Sequence, residues 1–141
     1  MTDWLGSGRY CRWSAIDGLA DKAKALKART VNATIAAIYE FVTLGVAYDD
    51  EKAGRLKGGR GYVPDPEETF ESGRGVCFDK AALMTAMLRA DGIPAKLCVG
   101  DMDGESHAWV TVWDGKHWLR CDPTVTTGRQ KSRKYVTKYQ L

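Results

Sequence analysis

The chain begins with two stretches in which apolar residues recur at the three- and four-residue spacing of an amphipathic helix. Residues 14–28 carry the first stretch, and the second ends near Leu44 with its apolar positions on one face. Thr30 stands where an N-cap belongs, because its hydroxyl can accept a hydrogen bond from a free backbone N–H of the first turn. The pattern therefore predicts two N-terminal helices, the second beginning just after Thr30.

Glycine and proline break the periodicity between residues 48 and 65, which predicts a loop. Pro66 followed by two acidic residues is typical of a first helical turn. Next comes a glycine-rich approach to residues 76–90, a run of strong helix formers that stops before a glycine and a proline. Cys77 accordingly lies in the first turn of this predicted helix.

From residue 95 onwards the apolar spacing changes from a helical period to a period of two. This alternation predicts antiparallel strands over residues 95–100, 107–113, 116–122 and about 135–139. Helices followed by such strands indicate an α+β fold, and a chain of 141 residues fits a single domain. We expect one domain over 1–141, described by three ranges. These are the N-terminal helices in 1–47, the main motifs in 61–124 and a C-terminal strand and tail in 125–141.

The dipeptide Asp114-Gly115 is a strong signal for a two-residue hairpin turn between two of these strands. With that turn, His107 faces Asp122 across the ladder, and His117 falls on the other face. Directly opposed Cβ atoms on one face are about 5 Å apart, so an imidazole and a carboxylate there can form a hydrogen bond. A loop of three or four residues would give a different register, and a slip of one residue would move the side chains to opposite faces.

Composition and charge exclude several classes of protein. Apolar residues make up 44% and charged residues 28%, which is ordinary for a soluble domain, and the net charge of +3 is too small to indicate binding to nucleic acid or membrane. The four cysteines include no CxxC pair, so we expect neither a zinc ribbon nor a thioredoxin-type motif, and no metal or cofactor. The start of the chain carries no signal-peptide pattern, which favours a cytoplasmic protein with reduced thiols. A chain cut from a longer secreted protein would have the same features.

Three side chains in these elements suit nucleophilic chemistry. A cysteine at a helix N-terminus is favoured as the thiolate by the helix dipole and by the free N–H groups of the first turn. A histidine held by a carboxylate keeps one ring nitrogen free to act as a base. Cys77, His107 and Asp122 would then form a nucleophile–base–orienter triad, although the spacing alone does not bring Cys77 to His107.

Several short segments, taken together, resemble the transglutaminase-like superfamily. They are Gly75-Val76-Cys77-Phe78-Asp79, Leu88-Arg89-Ala90-Asp91-Gly92-Ile93-Pro94-Ala95, His107-Ala108-Trp109-Val110 and Cys121-Asp122-Pro123-Thr124, preceded by Gly61-Tyr62-Val63-Pro64-Asp65. The resemblance implies a papain-like core in which the cysteine-bearing helix packs on the antiparallel sheet. It also implies that Cys77 is the nucleophile, His107 the base and Asp122 the orienting group.

The same resemblance implies an acyl-thioester intermediate formed from an amide of a peptide or protein substrate. Water as the acceptor gives a hydrolase, which we favour slightly, and an amine gives a cross-linking transferase. Tyr62 is a candidate for the oxyanion hole, and Trp109 is a candidate for the wall of the cleft. Two alternatives remain: a binding module that keeps the fold without turnover, and an acyltransferase for small donors similar to the arylamine acetyltransferases. Nothing in the chain resembles a calcium-binding accessory region.

Overall fold

The computed structural model describes residues 4–13, 17–56, 62–125, 130 and 132–141. Their helices and strands, in chain order, are α1 (Asp17–Leu26), α2 (Val31–Gly45), β1 (Ala47–Tyr48), α3 (Asp50–Leu56), α4 (Pro66–Ser72), β2 (Arg74–Gly75), α5 (Cys77–Ala90), β3 (Ala95–Met102), β4 (Glu105–Trp113), β5 (Trp118–Cys121) and β6 (Tyr135–Gln140). This mixture of helices and antiparallel sheet confirms the predicted α+β class.

Helix α5 forms the centre of the core. It packs against α1, α2 and α4 on one side and against β3 and β4 on the other. Every residue from Asp79 to Arg89 is buried, which is expected of a helix surrounded by other elements rather than lying on the surface. Cys77, at its N-terminal end, is therefore attached to the most enclosed element of the fold.

The main sheet has four antiparallel strands in the order β5-β4-β3-β6. The pairing of β3 with β6 shifts between Val99 and Gly100. A Cβ atom at Gly100 would lie 2.0 Å from the carbonyl oxygen of Val136, so only glycine allows β6 to approach this closely. The predicted final strand thus lies beside β3 at the edge of the sheet.

The predicted register of the β4–β5 hairpin is wrong by two residues. Val110 pairs with Cys121 instead of Leu119, and the connection has four residues instead of two. The carboxylate of Asp114 accepts hydrogen bonds from the backbone N–H groups of Lys116 and His117, both at 2.7 Å, and this turn holds the longer loop. His117 therefore lies exposed in the turn.

Two tryptophans close the hairpin in the observed register. Trp113 pairs with Trp118, and their ring centroids are 5.5 Å apart. Aromatic cross-strand pairs of this kind stabilise a sheet, which gives a physical reason for the four-residue loop. Because side chains alternate with a period of two, a shift of two residues leaves each of them on its predicted face.

The predicted loop over residues 48–65 is only partly correct. Helix α3 lies within it, and β1 pairs in parallel with β2, with Tyr48 opposite Gly75. A strand of two residues gives no detectable period-two pattern, and α3 buries none of its residues, so neither element has an apolar signal. The segment from 57 to 61 lies outside the described residues.

The predicted helix starts are confirmed where the structure describes them. The hydroxyl of Thr30 accepts a hydrogen bond from the N–H of Ala33 at 3.0 Å, and Asp65 caps α4 ahead of Pro66. Within the described ranges, no helix is both long enough and apolar enough to cross a membrane.

Candidate active site

Cys77 is the first residue of α5 and is half-buried. The chain reaches it through Gly75, where a Cβ atom would lie 2.6 Å from the Cβ of Asp79. Glycine is therefore required for the backbone to pass so close to the first turn of the helix. This local geometry presents the thiol at the end of the buried helix, as the sequence predicts.

A buried carboxylate secures the start of this helix. Asp79 is fully buried, and its Oδ2 accepts hydrogen bonds from the N–H of Val76 at 3.0 Å and from Nζ of Lys52 at 2.8 Å. The hydroxyl of Tyr62 donates to Oδ1. Three donors thus hold one carboxylate on the turn that carries Cys77.

His107 and Asp122 meet at the heart of the site. Nε2 of His107 lies 2.7 Å from Oδ2 of Asp122, and because a carboxylate only accepts, this ring nitrogen donates. Asp122 lies just beyond β5 and diagonal to His107 instead of opposite it, a distance that long side chains can span. The predicted pair therefore forms in spite of the wrong register.

The environment of His107 favours its charged form. Burial opposes the charge, but the hydrogen bonds to Asp122 and Cys77 and the negative charges of both groups outweigh it and raise the pKa of His107 to about 9. Because Nε2 is held by Asp122, Nδ1 is the nitrogen available to the thiol. The structure thus brings together the three residues that the sequence could not place against one another.

The loop after β5 holds Asp122 rigidly. Its Oδ1 accepts hydrogen bonds from the N–H groups of Thr124 at 3.0 Å and Val125 at 3.3 Å. Its backbone N–H donates to the side-chain oxygen of Gln130, and its carbonyl accepts from the hydroxyl of Tyr39. Neither Gln130 nor Tyr39 is predicted from the sequence to belong to the site, because no local pattern links them to Asp122.

A small cleft of about 70 Å³ opens at the thiol and the imidazole. Its lining residues are Cys77, Phe78, Val99, Ser106, His107 and Ala108. The cleft therefore connects both Cys77 and His107 with the surface.

Tyr62, the candidate for the oxyanion hole, and Trp109, the candidate for the wall of the cleft, both have surroundings that differ from those expected. The single hydroxyl proton of Tyr62 is donated to Asp79 and is not available to an oxyanion. Trp109 is only 2% exposed, and its ring lies flat beside that of His107 with centroids 6.2 Å apart. Tyr62 therefore supports the helix start, and Trp109 supports the imidazole from the buried side.

Tyr48 is a further residue near the thiol, and no sequence pattern predicts it. It lies opposite Gly75 in the β1–β2 pair and is 40% exposed. Burial, followed by the negative charges of Cys77, Asp50 and Asp79, raises its phenol pKa. Tyr48 is thus a neighbour of the segment that leads into Cys77.

The other three cysteines are also free thiols. Burial raises the pKa of both Cys11 and Cys121 to about 11, and it raises that of Cys98 as well. In the described ranges, no group of three or more histidine, cysteine, aspartate or glutamate side chains is arranged to hold a metal ion. Cys77 is therefore distinguished from the others by its position beside His107.

Comparison with families of known sequence gives a match over most of the chain. Residues 18–123 match the family described as the transglutaminase-like superfamily. A protein-glutamine gamma-glutamyltransferase of Pseudomonas aeruginosa is 36% identical over 39% of this chain and 10% of its own length. An uncharacterized protein of Mycobacterium leprae is 34% identical over 45% of this chain and 29% of its own length. The chain thus spans less than a third of either curated relative.

Solved structures of similar fold include a candidate cysteine protease from Cytophaga hutchinsonii. It matches with a TM-score of 0.70 at 26% identity, over 86% of this chain and 41% of that one. The periplasmic domain of TgpA from Pseudomonas aeruginosa matches with a TM-score of 0.54 at 28% identity, over 75% of this chain and 42% of that one.

Proposed function

Since the chain belongs to the transglutaminase-like superfamily, we propose that it is a thiol enzyme that acts on amide bonds of peptides or proteins. In this proposal Cys77 is the nucleophile, His107 the base and acid, and Asp122 the orienting group. The observation that carries the proposal is the 2.7 Å hydrogen bond between His107 and the buried Asp122, together with the cleft that Cys77 and His107 both line.

The first half-reaction forms an acyl-thioester. His107 is an imidazolium that already holds a proton at Nδ1, and the sulfur of Cys77 attacks the carbonyl carbon of the amide as the thiolate paired with it. The C–N bond of the tetrahedral intermediate then breaks, and the imidazolium gives this proton to the departing amine. Asp122 keeps the imidazole in one orientation and stabilises its positive charge during both steps.

The second half-reaction releases the acyl group. His107 removes a proton from water or from an amine, which attacks the thioester carbonyl. The C–S bond then breaks, and the thiolate of Cys77 leaves beside the imidazolium of His107, which restores the starting pair. Water yields a free acid, and an amine yields a new amide. Hydrolysis comes first in our proposal, because the solved candidate cysteine protease matches 86% of this chain with a TM-score of 0.70, whereas a solved TGase matches 75% with a TM-score of 0.57.

Two groups suit the stabilisation of the oxyanion in both steps. The backbone N–H groups of the first turn of α5 have no partner within the helix, and the N–H of Cys77 is the nearest to the reacting sulfur. The hydroxyl of Tyr48 is the second group, since Tyr48 lies opposite Gly75, two residues before Cys77, and is partly exposed.

Labelling with a thiol-reactive acyl probe tests the role of Cys77. We expect intact-mass spectrometry to find one acyl group on the wild-type chain and none on the Cys77→Ala variant. The Cys121→Ala variant is the matched control, because burial raises the pKa of its thiol to about 11, and it should label like the wild type. Undiminished labelling of Cys77→Ala would falsify the proposal.

A peptide library incubated with and without a primary amine distinguishes the acceptors. Cleaved peptides in both conditions indicate hydrolysis, and amine adducts indicate transfer. A chain that acquires the acyl group but releases no product with either acceptor would be a binding module that keeps the fold without turnover. A chain that accepts only small acyl donors would be the small-donor acyltransferase.

A further inference from the structure

The hydroxyl of Tyr135 contacts the same carboxylate oxygen that holds His107. It donates to Oδ2 of Asp122 at 2.8 Å, while Nε2 of His107 lies 2.7 Å from this oxygen. Asp122 is fully buried, so no bulk water competes with these two donors. A single oxygen therefore divides its hydrogen-bonding capacity between the imidazole and the phenol.

The ring of Tyr135 is held from several sides. It begins β6, where it pairs with Met102 of β3. The ring centroid of Trp109 lies 4.9 Å away in an edge-on arrangement, and the guanidinium carbon of Arg120 lies 3.9 Å from the centroid of Tyr135. These contacts keep the hydroxyl of Tyr135 pointing at Asp122, so that its hydrogen bond to the carboxylate is maintained.

The proton of this hydroxyl stays on the phenol oxygen at neutral and moderately alkaline pH. Burial raises the pKa of Tyr135, and the hydrogen bond to Asp122 raises it further. Tyr135 therefore acts as a neutral donor throughout the range in which His107 titrates.

We propose that Tyr135 is a positioning residue that fixes the carboxylate of Asp122 and limits how strongly that carboxylate holds the proton of His107. The consequence for turnover rests on the function proposed above, while the effect on His107 can be measured without turnover. Tyr135 lies outside the matched range of residues 18–123, so the family match gives it no role.

The physical reason is competition for charge on one oxygen. A donor that bonds to a carboxylate stabilises the negative charge of the carboxylate. The carboxylate then attracts a second nearby proton less strongly. Without the hydroxyl, Oδ2 would interact with His107 alone, and the imidazolium would be held more tightly.

Other charged groups also surround the pair. Lys80 on α5 experiences the charge of Asp122, although burial lowers the pKa of its own amine, and Cys77 faces His107 from the same helix. Arg120 on β5 and Arg133 ahead of β6 act on Tyr135 through their positive charge. All four remain in place when only a hydroxyl is removed.

Neighbours on the remaining elements complete these surroundings. Tyr39 on α2 donates to the backbone carbonyl of Asp122, not to its carboxylate. The charge of Asp122 helps to raise the pKa of the neighbouring thiol of Cys121. Neither residue takes the position of the hydroxyl of Tyr135, so Tyr135→Phe isolates one hydrogen bond.

The test compares Tyr135→Phe with Tyr139→Phe in the full chain. Tyr139 lies on the same strand and is 65% exposed, which makes it the matched control. The chain has two histidines, so the imidazole signals of His107 and of the exposed His117 can be followed by NMR. We expect Tyr135→Phe to raise the pKa of His107 by about half a unit to one unit, and Tyr139→Phe to leave it unchanged.

Activity gives a second measurement. If Cys77 carries turnover, the alkaline limb of the pH–rate profile should move upwards in Tyr135→Phe by the same amount as the NMR value. A shift in His107 without any turnover in the wild type would reject the proposed function but support the role of Tyr135. An unchanged or lowered pKa of His107 in Tyr135→Phe would overturn that role.

A measurement on the wild-type chain covers the case in which Tyr135→Phe does not fold. We expect the hydroxyl proton of Tyr135 to exchange slowly with water and to show a through-space contact with the ring of His107. A rapidly exchanging hydroxyl without that contact would also overturn the proposal.

Discussion

At the residue scale, three tyrosines near the N-terminal end of α5 have different surroundings. The hydroxyl of Tyr62 is bound to Asp79, whereas Tyr48 is partly exposed and lies opposite Gly75. The ring of Tyr10 lies 6.1 Å from that of Phe78, as does the ring of Tyr62. The three tyrosines at the start of α5 therefore differ in their contacts.

Replacing these tyrosines by phenylalanine should separate catalysis from stability. We expect Tyr48→Phe to lower kcat by on the order of 10²-fold with little change in stability, because it removes the oxyanion donor of the proposed mechanism. Tyr62→Phe should lower the free energy of unfolding by about 2 kcal/mol, because it removes a hydrogen bond to a buried carboxylate. Enzyme assays and urea unfolding measure the two effects.

Tyr10→Phe is the control for this pair, since it keeps the stacking on Phe78. Tyr10→Phe should change neither kcat nor the free energy of unfolding. A fall in kcat for Tyr62→Phe without loss of stability would contradict our assignment and restore Tyr62 as the oxyanion donor.

At the element scale, β6 determines whether the site is complete. Its first residue, Tyr135, reaches Asp122, and its approach to β3 depends on the absence of a side chain at Gly100. The strand is short and its residues are mostly exposed, so its position is set by pairing with β3 and little by burial.

A side chain at Gly100 should therefore weaken the fold at this edge. We expect Gly100→Ala to lower the free energy of unfolding by about 2 kcal/mol or more, because the methyl group would collide with the carbonyl of Val136. Hydrogen exchange should show faster opening of the amides of β6.

Gly54→Ala is the matched control for this substitution. Gly54 lies in α3, and a Cβ atom at this position would meet no other atom within 4 Å. Alanine also favours a helix by about 1 kcal/mol over glycine, so the control should be neutral or stabilising. Equal destabilisation by the two substitutions would refute the steric explanation.

At the scale of the whole molecule, Arg89 links distant parts of the chain. Its side chain donates to the carbonyl of Ala95 at 3.0 Å, to that of Gly6 at 3.2 Å and to that of Leu141 at 2.7 Å. The N-terminal arm, the start of β3 and the end of the chain thus meet at one buried residue of α5.

The stability of the whole chain should fall as the pH rises above neutrality. The pKa of His107 is raised from 6.5 to about 9, so its contribution is complete below pH 6.5 and disappears as the pH passes 9. The thiols of Cys11 and Cys121, raised from 9.0 to about 11, lose their contribution at higher pH still. Urea unfolding over this range measures the decline.

Two variants show which groups cause the decline in stability with rising pH. His107→Gln should flatten the fall between neutral pH and pH 9, and Cys121→Ala should flatten part of the fall above it. A wild-type stability that rises with pH over this range would contradict the expected decline.

Much of the local structure follows from the sequence, because periodicity and capping depend on residues within a few positions of one another. The start of α2 after Thr30, the cysteine at the start of α5 and the shared face of His107 and Asp122 belong to this class. The shared face survived an error of two residues in the register, since alternation depends only on odd and even positions.

Only the tertiary structure decided the features that depend on contacts between distant segments. The pairing of Tyr48 with Gly75 and the hydrogen bond from Tyr135 to Asp122 have no signal in neighbouring residues. Each arises because packing around α5 brings separate elements together. The apolar spacing within an element does not predict which of its polar atoms will contact another element. The sequence therefore indicated the candidate residues of the site, and the packing determined which groups hold them in place.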